Sequence, residues 1–386
     1  FASCGSSPTE ASSLLTADIR GGMDKPGLLG LGDEIKGVTF VPLEVTTDDA
    51  SLIDGVYDYA VTDRYIYVLP VKEPRIVLFD RQGRFIRTLV KEGQGPGEFR
   101  GILPCIQVDE RNDRLFLFSN NRVWEYTLEG EFIGQSTHEY SVIYMRHIGK
   151  DRFAAISFPF QPFNGGGFGL GLFSRKGDTI AIKNDFYSFL LPHEKSGFTT
   201  SIAPAYSDAQ NSVLFKTDSN DTVFSISADR ISAACVLDLK NSDAEVIRSL
   251  DVTDMSNLRI EKKDPKDIFV QDMIEFPAHY YFRLLYNQGY YIASVDKKTG
   301  KTLVEKCEMP GSIYELADAN LQHGMQGTRS YRNFPVWGRV IKDELVQVVT
   351  PYELNLYKSL RSITIPQELN LKGEEGNPVF VFYSLI

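Results

Sequence analysis

The chain has 386 residues, of which 42% are hydrophobic and 12% aromatic, enough for one large all-β domain or two ordinary domains. Its formal net charge is −10, from 41 basic and 51 acidic residues, and the basic residues form no cluster. This balance argues against nucleic acid or an anionic membrane surface as a partner, and no apolar run is long enough to span a bilayer.

The first ten residues, Phe1-Ala-Ser-Cys-Gly-Ser-Ser-Pro-Thr-Glu10, place one apolar and two small residues before Cys4 and a polar segment after it. The pattern resembles the end of a bacterial lipoprotein signal, in which the cysteine becomes the lipidated first residue. A stray cysteine in a disordered tail is the alternative, since short motifs give false positives. Lipidation of Cys4 would anchor the chain without a spanning helix.

Residues 1–36 are rich in Ser, Gly, Pro and Thr and show no sustained period, so we predict a lipoprotein tether and an irregular lead-in. The first strand is expected at 38–45, where Pro42 suits an edge strand. The remaining cysteines, Cys105, Cys235 and Cys307, lie in or beside strand-like runs without metal-ligand spacing. They are predicted to be buried small hydrophobic residues.

A repeat follows, headed by aromatic residues at Phe79, Tyr126 and Phe173, each 47 residues from the next. Each aromatic residue ends a strand-like run and is followed by a polar turn, a glycine that tolerates positive φ, and a returning strand. A period of 40–50 residues built from strands alone is typical of β-propeller blades.

Three further units follow with looser spacing. Their strands are expected at 212–216, 222–226 and 233–238, then at 278–285, 290–295 and 302–307, and finally at 336–340, 344–349 and 378–383. Insertions with short helices are predicted near 241–270 and 351–371. The first and last strands lack sequence neighbours, and pairing them removes two exposed edges. The prediction for 37–386 is therefore an all-β, six-bladed β-propeller of four-stranded antiparallel blades, closed by its N-terminal and C-terminal strands.

The glycine-rich run Gly93-Gln-Gly-Pro-Gly-Glu-Phe99 superficially resembles a phosphate-binding loop. Such a loop must open a helix, whose N-terminus binds the anion. Pro96 and the strand that follows exclude this arrangement. The run is therefore predicted to connect one blade to the next.

The chain resembles the six-bladed β-propeller lipoproteins of Gram-negative bacteria, which are similar to NHL-repeat and TolB-like propellers. The resemblance covers about residues 38–386 and is weak over 141–210. It rests on the run at 93–99 and on Val77-Leu-Phe-Asp-Arg-Gln-Gly-Arg-Phe-Ile86, Ser219-Asn-Asp-Thr-Val-Phe224 and Asn377-Pro-Val-Phe-Val381. It implies a propeller in the cell envelope and transfers no catalytic residues.

Catalytic and metal-binding signatures do not emerge from the sequence. His193 lacks the second histidine of a zinc-protease helix, no Gly-x-Ser-x-Gly run exists, and 218–221 lacks the glycine and distal glutamate of a calcium loop. We therefore predict no cofactor and no metal. A pair of carboxylates across a propeller channel would suit glycoside chemistry, and the sequence leaves that alternative open.

Aromatic and cationic residues near the starts of blades are the candidate ligand contacts, because stacking and forked hydrogen bonds suit sugars, peptides and carboxylates. The alternative is that they pack between blades or lie at the rim. The candidates are Phe99, Arg100, Arg146, His147, His279, Tyr280, Arg332, Phe334 and Trp337.

The sequence thus predicts a monomeric, non-catalytic, lipid-anchored propeller of the cell envelope, periplasmic or surface-exposed. Its partner would be a glycan, a peptide or an envelope protein, with no nucleic acid and with the membrane met only through the lipid anchor. Two alternatives remain open: a propeller enzyme acting on carbohydrate with carboxylates at the channel mouth, and a structural subunit with an apolar patch off the ring axis.

Overall fold

The structure is a computed structural model. It describes residues 14–27, 29, 34–47, 50–100, 105–119, 121–137, 142–157, 169–183, 205–209, 212–216, 220–240, 267–287, 289–307, 339–352, 354 and 376–386. Six sheets form a ring of blades, each with four antiparallel strands. This confirms the predicted fold class. Within the described part of the chain, no helix combines the length and apolar character needed to cross a bilayer.

The described part of the chain opens with β1 (Leu15–Ala17), α1 (Ile19–Asp24) and β2 (Ile35–Pro42). Blade 1 contains β3 (Val56–Val61), β4 (Tyr65–Pro70), β5 (Arg75–Asp80) and β6 (Phe85–Lys91), and blade 2 contains β7 (Cys105–Asp109), β8 (Arg114–Ser119), β9 (Arg122–Tyr126) and β10 (Phe132–Thr137). Blade 3 contains β11 (Val142–His147), β12 (Arg152–Ser157), β13 (Leu170–Ser174) and β14 (Thr179–Lys183).

Blade 4 contains β15 (Ala205–Ala209), β16 (Ser212–Lys216), β17 (Thr222–Ser227) and β18 (Ile231–Leu237), and blade 5 contains β19 (Phe269–Glu275), β20 (His279–Tyr286), β21 (Gly289–Asp296) and β22 (Thr302–Cys307). Blade 6 contains β23 (Arg339–Ile341), β24 (Glu344–Val349) and β25 (Val379–Leu385), with β2 as its fourth strand. A turn of 3-10 helix (Glu110–Asn112) follows β7.

The ring closes in blade 6, where β2 pairs antiparallel with β25 from Ile35↔Leu385 to Pro42↔Val379. The predicted pairing of the two ends of the chain is confirmed. The strand expected at 38–45 begins and ends three residues earlier than predicted. Pro42 is the last residue of this outermost strand, where the missing N–H disturbs no inner ladder.

The core lies between the blades. Each sheet presents apolar side chains to its neighbours, and the described buried residues form six clusters, one for each interface. Central strands are buried on both faces: every residue of β4 after Tyr65 is buried. Outer strands such as β10 are mostly exposed. The period-2 pattern is therefore weak in the middle of a blade.

The N-terminal strap, residues 14–29 as far as they are described, docks on the outer edges of blades 4 and 5. Its strand β1 pairs in parallel with β18, from Leu15↔Cys235 to Ala17↔Leu237. Further along, the N–H of Gly27 donates to the carbonyl of Val304 at 2.8 Å, and the N–H of Leu29 donates to the carboxylate of Glu305 at 2.9 Å. The sequence predicts an irregular lead-in for this segment, whereas the structure contains the short strand β1. A three-residue strand is too short to show an alternating pattern in the sequence.

The predicted insertions fall mostly outside the described residues. In the first, 241–266 is not described, and the strand β19 already begins at Phe269, inside the predicted limit of 270. In the second, only 351, 352 and 354 are described, in helical conformation. The three looser blades agree with the strands expected for them, with boundaries shifted by a few residues.

Candidate functional site

A cleft lies on the ring axis, between the innermost strands of four blades. Its empty volume is about 220 Å³. The lining residues, here called the axial cleft, are Asp58, Cys105, Ile106, Gln107, Tyr144, Met145, Arg146 and Arg339. They belong to β3, β7, β11 and β23. Cys105 and Arg339 are the first residues of their strands. The cleft therefore reaches the face of the ring at which the innermost strands begin.

Bulges in the innermost strands help to place these side chains. The pairing of β3 with β4 slips by one residue between Val56 and Asp58, and the pairing of β11 with β12 slips between Val142 and Tyr144. A bulge bends its strand and re-aims the side chains beside it. Asp58 and Tyr144 therefore occupy equivalent positions in blades 1 and 3.

The side chain of Asp58 is a buried junction between three blades. Its Oδ2 accepts from the N–H of Ile106 at 2.7 Å, and its Oδ1 accepts from the N–H of Tyr59 at 2.8 Å. The Nη2 of Arg339 lies 2.5 Å from Oδ1. Burial raises the pKa of Asp58, while Arg339 and the two backbone donors oppose that shift. The carboxylate thus links blade 1 to blades 2 and 6.

Arg339 is held in a fixed orientation by blade 1. Its Nη1 donates to the carbonyl of Tyr59 at 2.8 Å, and its guanidinium carbon lies 4.8 Å from the centre of the Tyr59 ring. The hydroxyl of Tyr59 in turn donates to the carbonyl of Val346 at 2.8 Å. A planar guanidinium suits both the forked hydrogen bonds and the stacking seen here.

Gln107 joins blade 2 to blade 3. Its amide Nε2 donates to the carbonyl of His147 at 2.6 Å, and its Oε1 accepts from the N–H of His147 at 2.5 Å. The His147 ring stacks on Phe116 with centroids 5.0 Å apart, and its Nδ1 lies 3.6 Å from the carboxylate of Asp109. Burial lowers the pKa of His147, although Asp109 acts in the opposite direction.

The opposite end of the innermost strands is tied by Lys342, in the turn after β23. Its Nζ lies 2.5 Å from a carboxylate oxygen of Asp63 and 2.9 Å from one of Glu110. Partial burial alone would lower the pKa of Lys342, but the hydrogen bonds to these two carboxylates raise it. Lys342 thereby connects the first hairpins of blades 6, 1 and 2.

Two of the predicted ligand contacts belong to the run at 93–99 and its end. Phe99 is fully buried between blades 1 and 2, with its ring centroid 6.4 Å from that of Trp124. This burial gives Phe99 a packing role between the two blades. Arg100 donates to the carbonyls of Gly93 and Gln94 at 3.1 and 2.9 Å. Arg100 therefore joins the end of the connector to its beginning.

The other predicted residues are dispersed. Arg146 lines the axial cleft, and His147 is buried next to it. His279 and Tyr280 begin β20, the second strand of blade 5, where the Nδ1 of His279 lies 2.9 Å from the carboxylate of Glu34. Tyr280 packs against the core between blades 4 and 5. Cys4, Arg332, Phe334 and Trp337 lie outside the described residues.

Sequence reasoning missed Asp58, Gln107 and Arg339. It sought ligand contacts in connectors and turns, whereas these residues lie within the innermost strands. One signal was present in the segment Val56–Val61, where an aspartate interrupts an otherwise apolar and aromatic strand. A charged residue at such a position needs a partner or a function.

Six blades of four antiparallel strands around an axial cleft define the protein as a six-bladed β-propeller. The chain belongs to the family described as a domain of unknown function (DUF4934), whose model matches residues 14–384. No curated protein matches the sequence.

Solved structures also resemble the chain. A protein of Bacteroides fragilis described as exported has 14% identity and a TM-score of 0.64, with coverage of 96% of this chain and 99% of that chain. The WD40 domain of Toxoplasma gondii coronin has 10% identity and a TM-score of 0.42, with coverage of 91% and 87%. The extracellular domain of a B. thetaiotaomicron protein described as a one-component system has 9% identity and a TM-score of 0.33, with coverage of 67% and 28%. At 14% identity the first likeness shows the shared fold.

Proposed function

We propose that this protein is a non-catalytic, lipid-anchored binding protein of the cell envelope, which engages a glycan, a peptide or an envelope protein at the axial cleft. The observation that carries the proposal is the composition of that cleft. Two arginines and a tyrosine meet on the ring axis, where residues from four blades converge. Concave sites with a few convergent polar groups are the usual places for ligands.

The state of Asp58 supports binding rather than catalysis. It is the carboxylate among the described lining residues, and its oxygens accept from two backbone N–H groups and face Arg339. Glycoside hydrolysis uses a pair of carboxyl groups about 5–10 Å apart, one of which must exchange a proton or attack the sugar. A carboxylate committed to three structural donors is poorly suited to either task.

Envelope location and anchoring rest on the N-terminal pattern around Cys4. The likeness to a protein described as exported supports the location alone. Labelling of cells with a radioactive fatty acid tests the anchor. We expect label on the wild-type protein and none on Cys4→Ala. Equal labelling of both proteins would refute the anchor.

The binding proposal is tested with glycan and peptide arrays, using the full chain with Cys4→Ala to keep it soluble. Binding that falls in an Arg146→Gln variant and persists in Arg87→Gln supports the axial cleft, because Arg87 pairs with Glu129 on the outer rim. Release of reducing ends from a glycan that binds would instead favour the enzyme.

A further inference from the structure

We infer that the axial cleft is a carboxylate-binding subsite, in which Arg146 and Arg339 receive a single carboxylate group of the ligand. This inference rests on the proposed binding function and specifies its chemistry. It begins from the juxtaposition of two guanidiniums in one small cleft on the axis.

The two arginines differ in how they are held. Arg339 is fixed before any ligand arrives, because its guanidinium is bonded to Tyr59 and Asp58 and lies over the Tyr59 ring. A group that is already ordered loses little entropy when a ligand binds. Arg146 reaches the same cleft from β11, on the blade beyond β7. The ligand would therefore meet one rigid guanidinium and a second one from another wall.

Two other polar side chains of the cleft, Gln107 and Asp58, already join the blades. Gln107 uses both ends of its amide on the backbone of His147, and Asp58 uses both oxygens within the ring. Their geometry is explained by cohesion between blades. Two guanidiniums in one cleft attract a planar oxyanion, which they can recognise by forked, charge-assisted hydrogen bonds.

Charge matching favours a carboxylate over a phosphate. The described lining contains two guanidiniums and one carboxylate, so its formal charge is +1. A singly charged carboxylate compensates that charge, whereas a dianionic phosphate would add unpaired negative charge beside Asp58.

Cys105 provides the probe, because its half-buried thiol lines the cleft. Cys235 provides an internal control: it is fully buried, and burial raises the pKa of its thiol to about 12. The full chain with Cys4→Ala is alkylated with iodoacetamide at constant ionic strength, and each cysteine is followed by peptide mass spectrometry. Labelling of Cys235 would reveal an unfolded variant.

Two acids are compared with their neutral analogues: galacturonate with galactose, and N-acetylglycine with N-acetylglycinamide. We expect at least one acid to slow alkylation of Cys105 while its neutral analogue does not. Protection by galacturonate alone assigns a sugar acid, and protection by N-acetylglycine alone assigns a peptide C-terminus. Arg146→Gln should weaken protection about tenfold, in line with a charge-assisted hydrogen bond. Arg146→Lys should recover it in part, and Arg87→Gln should behave as the wild type.

The inference is overturned if neither acid protects Cys105, if a neutral analogue protects equally well, or if inorganic phosphate protects better than both acids. These outcomes are read on the chain that carries only Cys4→Ala, so they do not depend on the stability of the arginine variants. They also separate the two proposals. A cleft-dependent array ligand with no carboxylate preference removes the subsite and leaves the binding function, whereas no cleft-dependent array ligand removes the binding function.

Discussion

The guanidinium of Arg339 lies 2.5 Å from the carboxylate of Asp58, and this contact joins the innermost strand of the last blade to that of the first. The same carboxylate binds the backbone of Ile106 in blade 2. Three consecutive blades thus meet at one buried acid. These polar contacts near the axis add to the apolar packing between the blades.

Removing Asp58 should strongly destabilise the protein. Asp58→Ala leaves two backbone N–H groups and the partly exposed Arg339 guanidinium without this partner, and each unsatisfied buried donor costs about 1–3 kcal/mol. The free energy of unfolding in urea measures the loss. Asp229→Ala is the control, because the Lys150–Asp229 pair is exposed and should contribute at most about 1 kcal/mol. A double variant, Asp58→Ala with Arg339→Met, should lose less than the sum of its single changes, and strict additivity would contradict the coupling.

His147 should make stability depend on pH near neutrality. Burial lowers its pKa in the folded state, so below pH 6.5 the unfolded chain binds more protons at this residue than the folded chain. The contribution of His147 to stability is therefore complete above pH 6.5 and declines as the pH falls below it. Unfolding of wild type and His147→Gln should be compared from pH 8 to pH 5. The difference between them should shrink on acidification, and a constant difference would contradict the prediction.

The closing blade should depend on Phe380. This side chain is fully buried in the cluster between blades 6 and 1, with its ring centroid 5.3 Å from that of Tyr59. Phe380→Ala should cost about 3–5 kcal/mol of unfolding free energy. Phe132→Ala is the matched control, because Phe132 lies on an outer strand and is 46% exposed. Comparable losses in the two variants would argue against closure through this core.

Gly97 should be intolerant of a side chain. Its φ is +80°, and an added Cβ would lie 2.9 Å from the Cβ of Phe132. Gly97→Ala should therefore destabilise the fold by about 1–3 kcal/mol through backbone strain alone. Gly37→Ala is the control, since no atom lies within 4 Å of its added Cβ and its φ is not positive. Thermal unfolding monitored by circular dichroism measures both.

Much of the fold followed from the sequence because propeller blades repeat their turns. The motifs at Phe79, Tyr126 and Phe173 each ended a third strand, and Gly83, Gly130 and Gly177 all have positive φ. Closure followed from edge strands that needed partners. The docking of Leu15–Ala17 on blade 4 could not be predicted, because the short strand is specified by its partner β18 and not by its own pattern.

The candidate site was less accessible to sequence reasoning. Arg146 was selected for its residue type near the start of a blade, and the structure places it in the axial cleft. Phe99 was selected by the same reasoning and proved to be a core residue. Arg146 and Phe99 differ in the direction of their side chains. That direction depends on bulges in the strands and on how each blade is rotated about the ring axis, and neither can be read from the residue type. Asp58 and Arg339 are brought together only by closure of the ring.

The N-terminal strap has a mechanical consequence. Along the chain, its contacts with blades 4 and 5 precede β2, which closes blade 6. Among the described contacts, a pull from the N-terminal side therefore loads β1 first, then the bonds of Arg20, Gly27 and Leu29, and only afterwards the seven residue pairs of β2 with β25. The strap makes the shorter ladder in this series, so we expect it to yield first and to spare the closure of the ring.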